Sequence, residues 1–382
     1  MHLTCYTFSS LTTNFSRMSP NRIFILAGEA SGDLHASNLV KELLKINSEL
    51  SIFGWGGDKM KDAGVEVLKE LKDLSFMGFL EVLLNINKIK KNFHDCKEQL
   101  ISYNIDTIIL VDYPGFNLRM AKWAKLRGIH VVYYISPQIW AWKKNRVFTI
   151  RKYVDAMFCI LPFEVEFYNK YHYRAHYFGH PLLDEISTFK NDKESEWLIK
   201  SRPIVAILPG SRKQEVERKL PLMIAAAKKL EGYKIVVACA PNLPLSFYTQ
   251  YQSEAIEFAQ HRTYELLSHA TVAIVTSGTA TLETALFKVP QVVCYKSSFL
   301  SYFIAKQLVK IKYISLVNLI LDRPVLTELI QQDCTSQRIY NELLKIVPDG
   351  LETKRVYSEY ELLVQLLGDS GASERIATQI LS

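Results

Sequence analysis

The chain of 382 residues has no long hydrophobic segment and no ordered set of cysteines. No stretch reaches the ~18 consecutive apolar residues that a membrane-spanning helix requires. The first twenty residues lack the basic start and the continuous apolar run of a signal peptide. The six cysteines are scattered, without a Cys-x-x-Cys pair or a Cys/His spacing suited to zinc. We therefore expect a cytoplasmic protein with free thiols and no structural metal.

Motifs for several common ligands are absent as well. No GxxxxGK[ST] sequence occurs, which argues against ATP hydrolysis by a P-loop. Gly54, Gly56 and Gly57 follow a strand-like run, but the third glycine of a dinucleotide fingerprint and its ribose-binding acid are missing. No Asp-x-Asp pair is available to hold a metal on a sugar donor, so we expect neither a metal nor another cofactor.

Charge is nearly balanced, and no polybasic tail is present. The 46 Lys and Arg residues against 39 Asp and Glu residues give a net charge of +7. This excess mildly favours anionic partners such as nucleotides, phosphates or an acidic membrane face, and we expect no nucleic-acid partner.

Short β-branched and aromatic runs recur through the chain, separated by helical stretches. This alternation predicts an α/β protein with two Rossmann-like, doubly wound domains facing a cleft. A polar stretch at 179–197 predicts the linker between them. The runs lie at 23–28, 51–57, 107–112, 130–136 and 156–162, and then at 203–211, 233–241, 271–278 and 291–296.

The same pattern gives domain boundaries. Residues 1–20 precede the first apolar run and are expected to form a loose extension, or to lie upstream of a true start at Met18. The first domain is predicted at 21–183, with C-terminal helices 345–382 completing it. The second domain is predicted at 184–344.

Two loops of the second half predict a phosphate site. Each follows a strand and begins a helix, where free backbone N–H groups favour anions. An ordinary turn and a capped helix start are the alternatives, but two such loops in one domain favour phosphate. Glu283, one turn further along, suits a ribose diol. The loop residues are Gly210, Ser211, Arg212, Ser277, Gly278 and Thr279.

The loops of the first half are acidic instead. Glu29 and Asp33 occupy the GEASGD loop after the first strand, and Asp112 ends the third strand. Acids suit a sugar hydroxyl better than a phosphate, and Asp112 is a candidate general base in the cleft. His35 competes for that role, although it could equally be a packed helix residue, and Asp112 could cap the next helix.

Two further segments bear on substrates. Residues 133–147 are rich in aromatic side chains and then turn basic, which fits either a buried loop or a site for an amphiphile with a phosphate head. Residues 71–93 are apolar and end in lysines, which fits either a helix covering the sheet or one lying in a membrane interface. The membrane candidates are Phe76, Leu80, Leu83, Lys88, Lys90 and Lys91.

Eight motifs occur in the order and spacing of one known family, between about residues 23 and 335. They are GEASGD, FGWGGDKM, VDYPGFN, SPQIWAW, FGHPLLD, LPGSR, SGTATLE and SLVNLI. The chain thus resembles the lipid-A-disaccharide synthases, with DYPGFN where that family usually reads DAPDFN.

The resemblance implies the architecture called GT-B and an inverting glycosyltransferase. It would join UDP-2,3-diacylglucosamine to 2,3-diacylglucosamine 1-phosphate, giving the lipid A disaccharide 1-phosphate and UDP. The first domain would face the acceptor and lipid, and the second would bind the UDP-sugar. A peripheral position on the cytoplasmic face of the inner membrane is implied, the membrane reading of 71–93 becomes the favoured one, and a homodimer stays open.

The resemblance also assigns roles to residues. Asp112 and Arg212 match residues needed for activity, with His35 and Glu29 as rivals to Asp112 for the base. Glu283 and Asn318 match residues that line the uridine nucleotide site. Other UDP-sugar enzymes of this fold, such as a peptidoglycan-type glycosyltransferase or a 2-epimerase, and a non-catalytic binding protein remain alternatives. The further substrate-binding candidates are Ser31, Asp33, Asn117, Gln138 and Trp140.

Overall fold

The computed structural model describes residues 21–74, 86–190, 202–298, 302–303, 307 and 311–382. The predicted extension at 1–20 and the membrane candidates Phe76, Leu80 and Leu83 lie outside these residues. None of the helices in the described ranges is long and apolar enough to cross a membrane.

The first half forms a seven-stranded parallel sheet in the order β3-β2-β1-β4-β5-β6-β7. Its central strands are buried on both faces, since Phe24 and Leu26 enter one core and Ile23 and Ile25 the other. The strands are β1 Arg22–Ala27, β2 Ser51–Gly56, β3 Glu66–Glu70, β4 Thr107–Val111, β5 His130–Tyr134, β6 Ala156–Cys159 and β7 His176–Tyr177.

The second half forms a six-stranded parallel sheet in the order β10-β9-β8-β11-β12-β13. In both sheets the strand order reverses beside the first strand, which is the order of doubly wound nucleotide-binding folds. The predicted α/β class with two Rossmann-like domains is confirmed. The strands are β8 Ile204–Leu208, β9 Lys234–Cys239, β10 Ile256–Gln260, β11 Val272–Thr276, β12 Gln291–Tyr295 and β13 Glu328–Ile330.

Helices connect the strands and cover the faces of both sheets. In the first half they are α1 Ala30–Ile46, α2 Asp58–Asp62, α3 Ile86–Ser102, α4 Pro114–Lys125, α5 Ile139–Trp142, α6 Arg146–Tyr153, α7 Pro162–Asn169 and α8 Pro181–Lys190. In the second half they are α9 Lys213–Ala227, α10 Thr263–His269, α11 Thr279–Leu286, α12 Leu316–Leu321, α13 Ser336–Ile346, α14 Thr353–Leu367 and α15 Ala372–Leu381.

Two features of the structure bear on the predicted chain organisation. The stretch predicted as a linker contains α8, which forms because Leu182 and Ile186 lie one turn apart and pack into a core. Only the last of the C-terminal helices joins the first sheet, where Ile376 packs with the core around α1. Helix α14 instead buries Tyr360 and Leu363 against the second sheet.

Helix α15 is held to the first half by the side chain of Asp184. The carboxylate accepts hydrogen bonds from the backbone N–H groups of Gly371, Ala372 and Ser373 at 2.6, 3.2 and 2.9 Å. These groups have no partner within the helix itself, so an acid from elsewhere satisfies them and complements the helix dipole.

Candidate active site

The Asp112 loop follows β4 and is fixed through its backbone. Asp112 and Tyr113 both have φ of 44°, in the left-handed region that such residues seldom occupy. The Asp112 N–H donates to the Tyr134 carbonyl at 3.1 Å, and the Asp112 carbonyl accepts from Asn117 Nδ2 at 2.8 Å and from the Tyr133 hydroxyl at 2.5 Å. Backbone strain of this kind clusters at functional sites, where surrounding contacts hold it.

Two carboxyl groups and a guanidinium influence one another at this point. Burial, and then the negative charge of Glu29, raises the pKa of Asp112 from 3.8 to about 7. Burial also raises the pKa of Glu29, while the charge of Arg212 acts in the opposite direction. Because Arg212 follows β8 in the second half, residues of both halves share one electrostatic environment. A carboxyl with a pKa near neutrality is suited to general base catalysis.

Tyr113 covers the opening loop of the first half. A Cβ atom added at Gly28 would lie 2.6 Å from Cγ of the Tyr113 ring, so this ring requires glycine there. The Tyr113 hydroxyl donates to the Leu74 carbonyl at 3.0 Å. The ring thus packs on the loop that carries Glu29, at a position where the resembling family usually has alanine.

Asp33 does not face the cleft, contrary to its predicted role as a hydroxyl ligand. Its carboxylate accepts hydrogen bonds from the backbone N–H groups of Gly57, Lys59 and Met60 at 2.7, 3.3 and 3.2 Å. It is only 4% exposed. Asp33 therefore joins the GEASGD loop to the start of α2, which is a structural role.

Asn117 and Asn318 are also structural in this arrangement. Asn117 is buried, and its amide donates to the carbonyls of Val111 and Asp112. The Asn318 amide donates to the Leu326 carbonyl and to Glu328 Oε1, both at 2.9 Å, and its oxygen accepts from the Leu326 N–H at 2.8 Å. Asn318 positions a loop through both its amide atoms, whereas Asn117 is anchored through its amide nitrogen and its buried Oδ1 has no hydrogen-bond partner.

His35 has Asp184 as its charged neighbour. It is buried on α1, and its pKa is lowered to about 4, mainly by burial, with Asp184 as the charged neighbour that opposes this shift. Burial lowers the pKa of His180 to about 3, and the positive charge of His35 when protonated acts in the same direction. The structure therefore places His35 in the packing between α1 and α8, which disfavours the predicted role as base.

The two predicted phosphate loops come together at adjacent strand ends. The loop after β8 has Gly210 with φ of 112°, and the loop after β11 has Gly278 with φ of 131°. These strands are neighbours at the point where the strand order reverses, which is where ligands bind in doubly wound sheets. Ser211 and Thr279 are exposed, and Ser277 donates to the Ile314 carbonyl at 2.7 Å.

Arg212 and Glu283 flank these loops. The Arg212 side chain is 62% exposed, with Nη1 3.4 Å from Glu215 Oε1. Glu283 Oε1 accepts a hydrogen bond from the Tyr264 hydroxyl at 3.1 Å, and burial raises the pKa of Glu283. The guanidinium thus belongs to the N-cap residue of α9, and the carboxylate lies on α11.

The remaining candidates are dispersed over the first half. Trp140 donates its indole N–H to Glu164 Oε1 at 3.0 Å, and burial raises the pKa of that carboxyl to about 7. This bond gives Trp140 a structural role. Gln138 and Ser31 are exposed at the starts of α5 and α1. Lys88, Lys90 and Lys91 are exposed on α3.

Some residues of the site escaped the sequence prediction. Tyr113 stands in the VDYPGFN motif but was given no role, and Tyr264 lies in none of the eight motifs; aromatic residues are equally common in cores. Lys219 is buried beneath the phosphate loops. The sequence feature that could have revealed it is a lysine among the apolar residues on one face of α9. Within the described ranges, no group of three or more His, Cys, Asp or Glu side chains is placed to hold a metal ion.

The fold is the GT-B architecture of two Rossmann-like domains. Solved structures with the same fold include a UDP-GlcNAc 2-epimerase from Neisseria meningitidis bound to UDP-GlcNAc (TM-score 0.66, 12% identity, covering 94% of this chain and 99% of that one). The calicheamicin glycosyltransferase CalG4 is another (TM-score 0.60, 15% identity, covering 95% and 97%).

The sequence is more specific than the fold. Residues 23–379 match the family model described as lipid-A-disaccharide synthetase. Lipid-A-disaccharide synthases from Myxococcus xanthus (covering 95% of this chain and 97% of that protein) and Persephonella marina (94% and 98%) are each 38% identical to it. The chain belongs to the lipid-A-disaccharide synthase family and is a glycosyltransferase of lipid A biosynthesis, as predicted.

Proposed function

We propose that the protein transfers the diacylglucosamine unit of UDP-2,3-diacylglucosamine to 2,3-diacylglucosamine 1-phosphate. The products are the tetraacyl disaccharide 1-phosphate and UDP. The observation that carries this proposal beyond the family is the Asp112 carboxyl, whose pKa of about 7 suits a base beside Glu29 and opposite Arg212.

In the proposed reaction, Asp112 accepts the proton of the acceptor 6-hydroxyl. The oxygen attacks the anomeric carbon from the face opposite the UDP, the new C–O bond forms, and the bond to the diphosphate oxygen breaks with inversion. Arg212 and the N–H groups at the starts of α9 and α11 stabilise the charge that develops on the leaving diphosphate. Glu283 accepts a hydrogen bond from the ribose diol.

We propose that catalysis takes place on the cytoplasmic face of the inner membrane. Both substrates carry acyl chains, and each CH₂ moved into water costs about 0.8 kcal/mol. Trp142 and Phe148 are 44% and 53% exposed, and Lys143 Nζ lies 4.2 Å from the Trp142 ring centroid. Exposed rings with adjacent cations suit an interface with anionic lipid.

A second basic surface is a further candidate for contact with the membrane. Lys88, Lys90 and Lys91, called the lysine triplet below, are exposed near the start of α3. Residues 75–85 immediately precede this helix and include the apolar membrane candidates. The triplet would meet lipid head groups while those apolar side chains enter the interface.

Product analysis with both lipid substrates tests the proposal. Purified protein in mixed micelles is expected to consume the two substrates in equal amounts and to release UDP with the disaccharide. Conversion of the donor alone to an epimer would support the 2-epimerase alternative instead. Binding of the donor with no product from either substrate would support the non-catalytic alternative.

A further inference from the structure

Lys219 is a buried lysine in a place that apolar residues normally occupy. It lies on the face of α9 that buries Val216, Leu220 and Met223 against the second sheet. Its side chain is 2% exposed, and no other lysine among the described residues is classed as buried. Long cationic side chains rarely occupy such positions unless a partner compensates the charge.

The ammonium group lies at the junction of the two phosphate loops. Nζ donates a hydrogen bond to Oγ1 of Thr276, the last residue of β11. A Cβ atom added at Gly210, in the loop after β8, would lie 3.5 Å from the same Nζ. The charge thus sits between the carboxyl ends of the two strands that flank the crevice of the second sheet.

The described residues compensate this charge only weakly. The carboxylate it approaches is Glu215, whose Oε2 lies 3.8 Å away on a side chain that is 36% exposed. Burial lowers the pKa of Lys219, Glu215 and the Cys294 and Cys334 thiols oppose that effect, and Arg212 adds to it. A buried cation with a distant partner is costly to the fold, so the position favours an anion that arrives from outside.

We propose that Lys219 is an anion-binding residue of the nucleotide site, whose ammonium holds the diphosphate from beneath the loops that contain Gly210 and Ser277. The identification of the anion as a nucleoside diphosphate rests on the proposed function. The backbone N–H groups would bind the phosphate oxygens from the loop side, and Lys219 would supply the positive charge below them.

Calorimetric titration with UDP tests this role. Lys219→Met keeps most of the side-chain volume and removes the charge, and we expect it to weaken UDP binding about 10- to 100-fold, as for loss of a charged hydrogen bond. Lys228→Met is the matched control, since Lys228 is exposed at the far end of α9. We expect that variant to bind UDP as the parent protein does.

Thermal unfolding without ligand separates binding from folding. Since a buried charge is costly, Lys219→Met should melt at the parent temperature or above it. A lower melting temperature, or UDP affinity within threefold of the parent, would show that Lys219 serves the fold and would overturn the proposal.

The pH dependence of UDP binding gives an independent readout. As pH rises through the lowered pKa of Lys219, the parent should lose affinity. Lys219→Met keeps Glu215, Arg212 and both thiols, so its affinity should follow pH less steeply. Equal slopes contradict the proposal. A parent protein that forms no disaccharide, yet binds UDP through Lys219, would refute the proposed function alone.

Discussion

Replacing Glu29 by glutamine should move the acidic limb of the pH–rate profile to lower pH. A general base works when deprotonated, so turnover rises as pH increases through the pKa of Asp112, which is about 7. The negative charge of Glu29 is the second cause of that raised pKa, after burial. Its removal therefore lowers the pKa of Asp112, while burial keeps it above the ordinary 3.8.

The size of the effect follows from ionisation. With a pKa of about 7, only about a tenth of Asp112 is deprotonated at pH 6. A fall in this pKa by a single unit would raise the fraction to about half, which is a roughly fivefold gain in rate at pH 6 relative to the plateau. The midpoint of the acidic limb of Glu29→Gln should lie between pH 3.8 and about pH 7.

The assay is the initial rate of UDP release between pH 5 and 9 at constant ionic strength, measured for kcat and for kcat/KM. Glu49→Gln is the matched control, because Glu49 is exposed and forms no part of the proposed site. Asp112→Asn should lose about 10² to 10⁴ in turnover at every pH. An unchanged acidic limb in Glu29→Gln, or near-normal turnover in folded Asp112→Asn, would refute the assignment of Asp112.

Four other predictions follow from the site and its surroundings. Arg212→Ala should lower kcat more than it weakens donor binding, because its interaction strengthens as charge develops on the diphosphate; unchanged kinetics would remove it from the site. Glu283→Gln should weaken UDP binding, and the loss should not depend on which lipid acceptor is offered. A titration with UDP in the absence of acceptor measures this loss. Asp33→Ala should reduce the free energy of unfolding in urea by about 1.5 to 3 kcal/mol, whereas exposed Ser31→Ala should change it little. Replacing all three lysines of the lysine triplet by glutamate should release the protein from anionic liposomes, as high salt should. If the variant still sediments with the liposomes as the parent does, the lysine triplet does not contact the membrane.

The sequence predicted the strands that are buried on both faces. Strands such as β4 and β11 are continuously buried runs rich in β-branched residues, and such runs are typical of parallel sheets. The strands it missed lie at sheet edges, where three of the five residues of β3 are charged and β7 has two residues. The sequence did not predict helix α8, because its Asp184 side chain makes its contacts with residues 371–373, far along the chain.

The candidate site was predictable in location but less so in the role of each side chain. Loops after β1, β4, β8 and β11 follow from strand positions alone, since ligands bind at the carboxyl ends. A polar residue in such a loop can face a ligand or satisfy a buried backbone group, and local sequence does not distinguish these cases. Asp33 takes the second role through partners 24 or more residues away, and Asn318 through partners 8 or more residues away. The Asp112 carboxyl is instead buried near the charge of Glu29.

The return of α15 to the first sheet constrains the order in which the protein can fold during synthesis. Ile376 and Ala377 share a core with Leu39 and Leu43 of α1, although the whole second sheet lies between them in the chain. During translation, one face of the first domain therefore stays uncovered until the second domain and α15 have been synthesised. Native contacts of such long sequence separation form slowly, so the uncovered face of α1 is where a chaperone would be needed.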